Sequence, residues 1–97
     1  MSHFLNLQIL INSGMAWKLE GSVGRSCMRA IQDGACMLGP EPHTDFYGNR
    51  IPARHEIQTG CFGTRAFVVE CFGEDHATML DLAPCEAGVD ILSAVLL

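Results

Sequence analysis

Cys61, Cys71, His76 and Cys85 place three thiols and one imidazole within 25 residues. Thiolates and imidazole bind zinc when four of them converge as a tetrahedron. The separations here are ten, five and nine residues, with no close pair to form a knuckle. Scattered core and turn residues are therefore the simpler reading, and no metal or other cofactor is expected. A second arrangement sets Cys61, in the glycine-flanked stretch Gly60-Cys61-Phe62-Gly63, downstream of His43 and His55. An imidazole beside a thiol could generate a nucleophile for acyl transfer. No oxyanion-hole signature accompanies it, so no catalytic residue is assigned and the chain is expected not to be an enzyme.

Residues 42–54 concentrate hydrogen-bonding groups: His43, Asp45, Tyr47, Asn49, Arg50 and Arg54. Such a loop could recognise a ligand or a protein partner. The same residues can also brace the loop itself. Asp45 and Asn49 close turns through their side chains, and Gly48 supplies a backbone angle that other residues avoid. The structural role is the favoured reading, with the loop kept as an alternative binding site. Gly21-Ser-Val-Gly24 precedes a helical pattern but lacks both the dinucleotide fingerprint and the Walker lysine, so no phosphate site follows.

The charges are distributed unevenly. Residues 67–97 hold six acids, Glu70, Glu74, Asp75, Asp81, Glu86 and Asp90, and no lysine or arginine. The 66 residues before them hold all six basic side chains against five acids. The first two thirds are nearly neutral and the last third is about minus six. A one-sided field of this kind speeds encounter with a basic surface and weakens with salt. These six acids are the expected partner-binding residues, with Phe72 or Phe62 as an apolar anchor.

The elements that must carry these groups follow from periodicity. Residues 3–13 fit either a strand, through alternation of Leu5, Leu7, Ile9 and Ile11, or a helix, through Phe4, Leu7 and Ile11. Ser2 could cap a helix and Gly14 could end it, so helix is favoured. Residues 22–33 read as a helix, with Val23, Cys27, Ala30 and Ile31 on one face, Ser22 at the N-cap and Gly34 just past the end. Trp17 falls in the connection as a packing anchor. Residues 38–54, with three prolines and two glycines, read as a long ordered loop without regular structure. Residues 55–59, a turn at 60–63 and residues 65–72 read as a hairpin. Residues 78–82 read as a third strand after a turn at 73–75. Residues 91–97 are apolar and fit an edge strand or a short helix starting near Glu86. They could bury internally or form a homodimer seam. The expected fold class is α+β: two N-terminal helices, a long ordered loop and a small antiparallel β-meander, in one domain over residues 1–97.

Composition excludes several classes. The chain is 48% apolar and 18% charged, too hydrophobic for intrinsic disorder. A net charge of −5 argues against direct nucleic-acid binding, which needs a basic face. No apolar run approaches the roughly 20 residues that span a bilayer. The N-terminus has neither the basic leader nor the cleavage site of a secretory signal. Five cysteines without a Cys-x-x-Cys pair fit reduced thiols. The expected location is the cytoplasm.

The stretches Ala16-Trp-Lys-Leu-Glu-Gly-Ser-Val-Gly-Arg25 and Leu38-Gly-Pro-Glu-Pro-His-Thr-Asp-Phe-Tyr-Gly-Asn-Arg-Ile-Pro-Ala-Arg54 resemble small proteins encoded by tailed phages and prophages. The resemblance covers about residues 9–60, with Pro-His-x-Asp-x-Tyr-Gly-Asn as its most specific part, and brings no assigned activity. The acidic segment after Phe67 lies outside it. Small, acidic, non-enzymatic proteins of such genomes are often inhibitors of bacterial defence, the anti-CRISPR proteins among them. The resemblance thus implies a viral protein acting in the host cytoplasm. Its partner would be a host protein or ribonucleoprotein complex with a basic surface, such as a CRISPR–Cas effector. A phage accessory protein binding through the 42–54 loop and a small metal-binding module are the alternatives.

Overall fold

The computed structural model describes residues 3–18, 22–45 and 47–84. Among them the chain is helix-rich, with one small two-stranded antiparallel sheet, and is α+β at the level of class. The apolar residues of its helices, together with a buried extended segment at residues 35–39, form one cluster.

Helix α1 (His3–Ser13) buries seven consecutive residues, from Asn6 to Asn12. A helix buried on every side is a central one, and α1 packs against three neighbours: α2 (Met15–Lys18), α3 (Ser22–Asp33) and α5 (Glu74–Asp81). Gly14, at φ +81°, stops it, and the Trp17 amide then bonds Gly14 O to start the single turn of α2. No helix was expected there; Trp17 is nonetheless the buried anchor, 6% exposed.

Helix α3 buries Val23, Cys27, Ala30 and Ile31, one stripe at helical spacing. Its end is a Schellman motif. Ala35 N donates to Ala30 O at 2.9 Å and Gly34 N to Ile31 O at 3.2 Å, with Gly34 at φ +83°. Glycine is required here twice over, because a Cβ on Gly34 would lie 2.6 Å from Cys71 Cβ.

The chain then crosses the core at residues 35–39 without forming helix or strand, and all five residues are buried. Buried backbone must find partners. Gln8 answers Met37 on both sides: Met37 N donates to Gln8 Oε1 and Gln8 Nε2 donates to Met37 O, each at 2.9 Å. Arg54 Nε donates to Leu38 O at 2.7 Å, Arg54 N to Gly39 O at 3.0 Å, and Leu38 N to Gly63 O at 2.9 Å.

Residues 38–54 depart from the expected irregular loop. β1 (His43–Thr44) pairs antiparallel with β2 (Arg50–Ile51), His43 opposite Ile51 and Thr44 opposite Arg50. Pro42 and Pro52 lie just outside the two paired positions, so neither has to donate to the ladder.

The expected β-meander is replaced by helix. Residues 54–56 form a turn of 3-10 helix, and residues 65–72 and 74–81, expected to hold two strands, are α4 (Arg65–Phe72) and α5. The alternation of Phe67, Val69 and Cys71 imitates a strand, but the ends are those of a helix. Thr64 Oγ1 accepts from Phe67 N as an N-cap, and Gly73, at φ +95°, turns α4 directly into α5. Glu74 and Asp75 in the first turn of α5 suit the positive end of its dipole.

Candidate partner-binding face

Four of the six acids expected to meet a partner fall on the α4–α5 hairpin; Glu86 and Asp90 lie outside the described residues. Glu70, Glu74, Asp75 and Asp81 are all exposed. Asp81 faces the start of α4. Arg65 reaches Asp81 through Nε at 3.0 Å and Nη2 at 2.8 Å, and Glu74 through Nη2 at 3.1 Å. Hydrogen bonds to Asp81, then to Glu74, raise the Arg65 pKa further above its ordinary value. Arg65 thus clamps the two helices together and offsets one of the two charges it touches. Glu70 and Asp75 join no ion pair among the described residues. Over residues 65–84 four carboxylates stand against one guanidinium, which leaves three net negative charges.

Phe72 ends α4 beside this face and is 44% exposed. Its ring lies 4.7 Å from His76, tilted by 32°, and 5.9 Å edge-on from Phe4 of α1. His76 Nε2 bonds Ala35 O at 2.7 Å. A carbonyl only accepts, so Nε2 carries the proton and His76 serves the buried segment. Phe62, the other proposed anchor, is exposed in the turn before α4.

Among the described residues neither the metal nor the nucleophile arrangement is assembled. Among the described residues no three His, Cys, Asp or Glu side chains are placed to hold a metal; Cys85 lies outside them. His76 Nε2 is engaged and Cys71 packs against Gly34. Cys61 is exposed, but no hydrogen bond joins it to His43 or His55 among the described residues. His43 Nε2 instead donates to Asn12 O at 3.2 Å, and its ring lies where a Cβ on Gly14 would be. Burial pushes the Cys27 and Cys36 thiols up to about 12, so they stay protonated near neutrality. Gly24 sits inside α3 and forms no phosphate loop.

The 42–54 loop applies its chemistry to itself and to the segments that support it. Asp45 Oδ1 accepts from Tyr47 N at 2.9 Å and Asn49 N at 2.8 Å, and Asp45 N donates to Asn49 O at 2.9 Å. Arg50 pairs with Glu56 at 2.7 Å, while Glu56 Oε1 accepts from Ala53 N. The Ala53 amide, then Arg50, hold the Glu56 carboxyl below its ordinary range. Tyr47 stands 76% exposed at the hairpin tip.

Two residues escaped the sequence reading. Gln8 and Asn12, one helical turn apart on α1, form a buried hub. Asn12 Oδ1 accepts from Gln8 Nε2 at 2.8 Å and Arg54 Nη2 at 3.2 Å, and Asn12 Nδ2 donates to Ala83 O at 3.1 Å. Amides at i and i+4 in a stretch where four of the six residues from Leu7 to Asn12 are apolar were the available signal, since buried amides need partners.

No helix among the described residues is long and apolar enough to cross a membrane. In comparisons with family models, curated proteins and solved structures, nothing matches this chain.

Proposed function

We propose that this chain is a non-catalytic binding protein of phage or prophage origin, acting in the host cytoplasm. The α4–α5 face docks on the basic surface of a host nucleic-acid-handling complex, a CRISPR–Cas effector being the specific case. There it blocks nucleic-acid or subunit binding. The supporting observation is the one-sided charge of the hairpin, with Glu70 and Asp75 exposed and outside the Arg65 clamp. Carboxylates already held by Arg65 have less to offer an incoming lysine or arginine, so Glu70 and Asp75 carry most of the attraction. Such a face acts chiefly on the rate of encounter and on partner choice.

The test is inhibition of nucleic-acid binding across a panel of purified effectors, with wild-type protein and the Glu70→Lys/Asp75→Lys double variant. The expected result is inhibition of at least one effector, lost in the variant and weakened by salt in the wild type. Inhibition that is indifferent to both charge reversal and salt rejects the electrostatic mechanism.

A second reading is favoured by one observation, the exposure of Tyr47 at the hairpin tip. A phage accessory protein that binds through this loop would lose its partner on Tyr47→Ala and keep it on Glu70→Lys/Asp75→Lys.

A further inference from the structure

A cleft of about 250 Å³ opens between the start of α1, the end of α3 and the α4–α5 junction. Phe4, Leu7, Ala30 and Phe72 give it an apolar lining, and His3, Arg29 and Asp33 add polar and charged groups. We infer that this cleft receives one arginine side chain of the basic partner. The inference rests on the binding reading above and names the chemistry by which it grips.

Size comes first. The cleft falls below the roughly 300–1,000 Å³ of small-molecule pockets, and so suits one side chain better than a free metabolite. Two of its lining residues are aromatic, Phe4 and Phe72; Phe72 is 44% exposed and its ring is held by His76 and Phe4. A guanidinium stacks on such a face within about 6 Å of the ring centroid and is weakly hydrated, so it enters an apolar site at lower cost than an ammonium.

The second group needed is a carboxylate free to accept a planar fork. Asp33 lines the cleft and joins no ion pair among the described residues, although Arg29 lies one helical turn before it. A carboxylate accepts two parallel N–H bonds from arginine and only a point contact from lysine. Arg29 sharpens the requirement. It repels any cation that enters, so the aromatic face alone is insufficient and Asp33 must supply the attraction. The rest of the charge complementarity comes from Glu70 and Asp75, exposed on the two helices that meet beside Phe72, in a chain of net charge −5.

The test is titration of the full chain by two-dimensional NMR with three blocked peptides, acetyl-Gly-X-Gly-amide, where X is arginine, lysine or citrulline. The expected result is that the arginine peptide shifts the Phe4, Phe72 and Asp33 signals, at least threefold more tightly than lysine, with citrulline silent. Asp33→Asn should reduce arginine binding at least fivefold and Arg29→Ala should strengthen it. Asp33 is exposed, so its variant keeps the fold, and Phe72→Leu separates ring stacking from mere apolar contact. Equal binding of lysine and arginine overturns the proposal in favour of a general cation surface. Binding of citrulline as well as arginine overturns it in favour of an apolar slot, and no localised shift overturns it outright. Failure here with inhibition still sensitive to Glu70→Lys/Asp75→Lys removes the cleft and leaves the acidic face. Arginine-selective binding with charge-insensitive inhibition removes the acidic face as the inhibitory surface.

Discussion

The 42–54 loop and the α4–α5 hairpin are both dense in polar side chains, yet they use them in opposite directions. In the loop, Asp45 holds two backbone amides and Glu56 holds Arg50 and the Ala53 amide. Arg54 reaches inward to Leu38 O and Asn12. In the hairpin one guanidinium serves two carboxylates, and Glu70 and Asp75 face solvent outside any ion pair among the described residues. The difference teaches that clustering of polar residues does not mark a binding site. What marks one is polar chemistry left over once the backbone and the ion pairs have been served.

Substitutions on the inward side should therefore cost stability, and those on the outward side should change association. The largest effect is expected at Gln8. Gln8→Ala strands both the N–H and the C=O of Met37 in the core, and each stranded group costs about 1–3 kcal/mol. A loss of about 3 kcal/mol in urea unfolding is expected, whereas a loss near zero would mean that the 35–39 segment finds other partners. Gly34→Ala comes next. A positive φ and a Cβ pressed against Cys71 together should cost about 2 kcal/mol by the same measurement.

Acid tests the inward side without mutation. The Glu56 carboxyl is held below its ordinary value of 4.5 by the Ala53 amide and by Arg50. A depressed folded-state pKa stabilises above the unfolded value, and that stabilisation is lost as pH falls through the folded one. The Ala53 amide resonance should thus move with a midpoint below 4.5. In Glu56→Gln that step should vanish. Movement centred at 4.5 in the wild type would contradict the bond. The smallest stability effect is expected on the outward side. Arg65→Ala breaks an exposed clamp and should cost less than about 1 kcal/mol. It also frees Glu74 and Asp81, so association with a basic partner should become faster and more sensitive to salt.

What the sequence made legible follows the range of each interaction. α1 and α3 were readable because their signals are local: an apolar period, and Gly14 and Gly34 after the two helices. α4 and α5 were misread because Phe67, Val69 and Cys71 satisfy a two-residue period. Thr64 and Gly73, whose capping roles decide the matter, look like ordinary turn residues. The hairpin at 43–51 was hidden by prolines that flank its ladder. The acids were visible by composition alone, but their division into clamped and unclamped pairs was not. That division needs α4 and α5 to lie side by side, bringing Arg65 to Asp81 across 16 residues. The Gln8–Met37 pair spans 29 residues and depends on a buried extended segment that no periodicity announces.

The central contrast is tested most directly by urea unfolding of Asp45→Ala beside Glu70→Lys/Asp75→Lys. Asp45→Ala removes the acceptor of two backbone amides and should destabilise by about 1–2 kcal/mol. Charge reversal gains at Glu70, near the C-terminal end of α4, what it loses at Asp75 in the first turn of α5, and should leave stability within about 0.5 kcal/mol of wild type. The opposite order, a silent Asp45→Ala and a destabilised Glu70→Lys/Asp75→Lys, would show that the hairpin acids hold the fold and are not held in reserve for a partner.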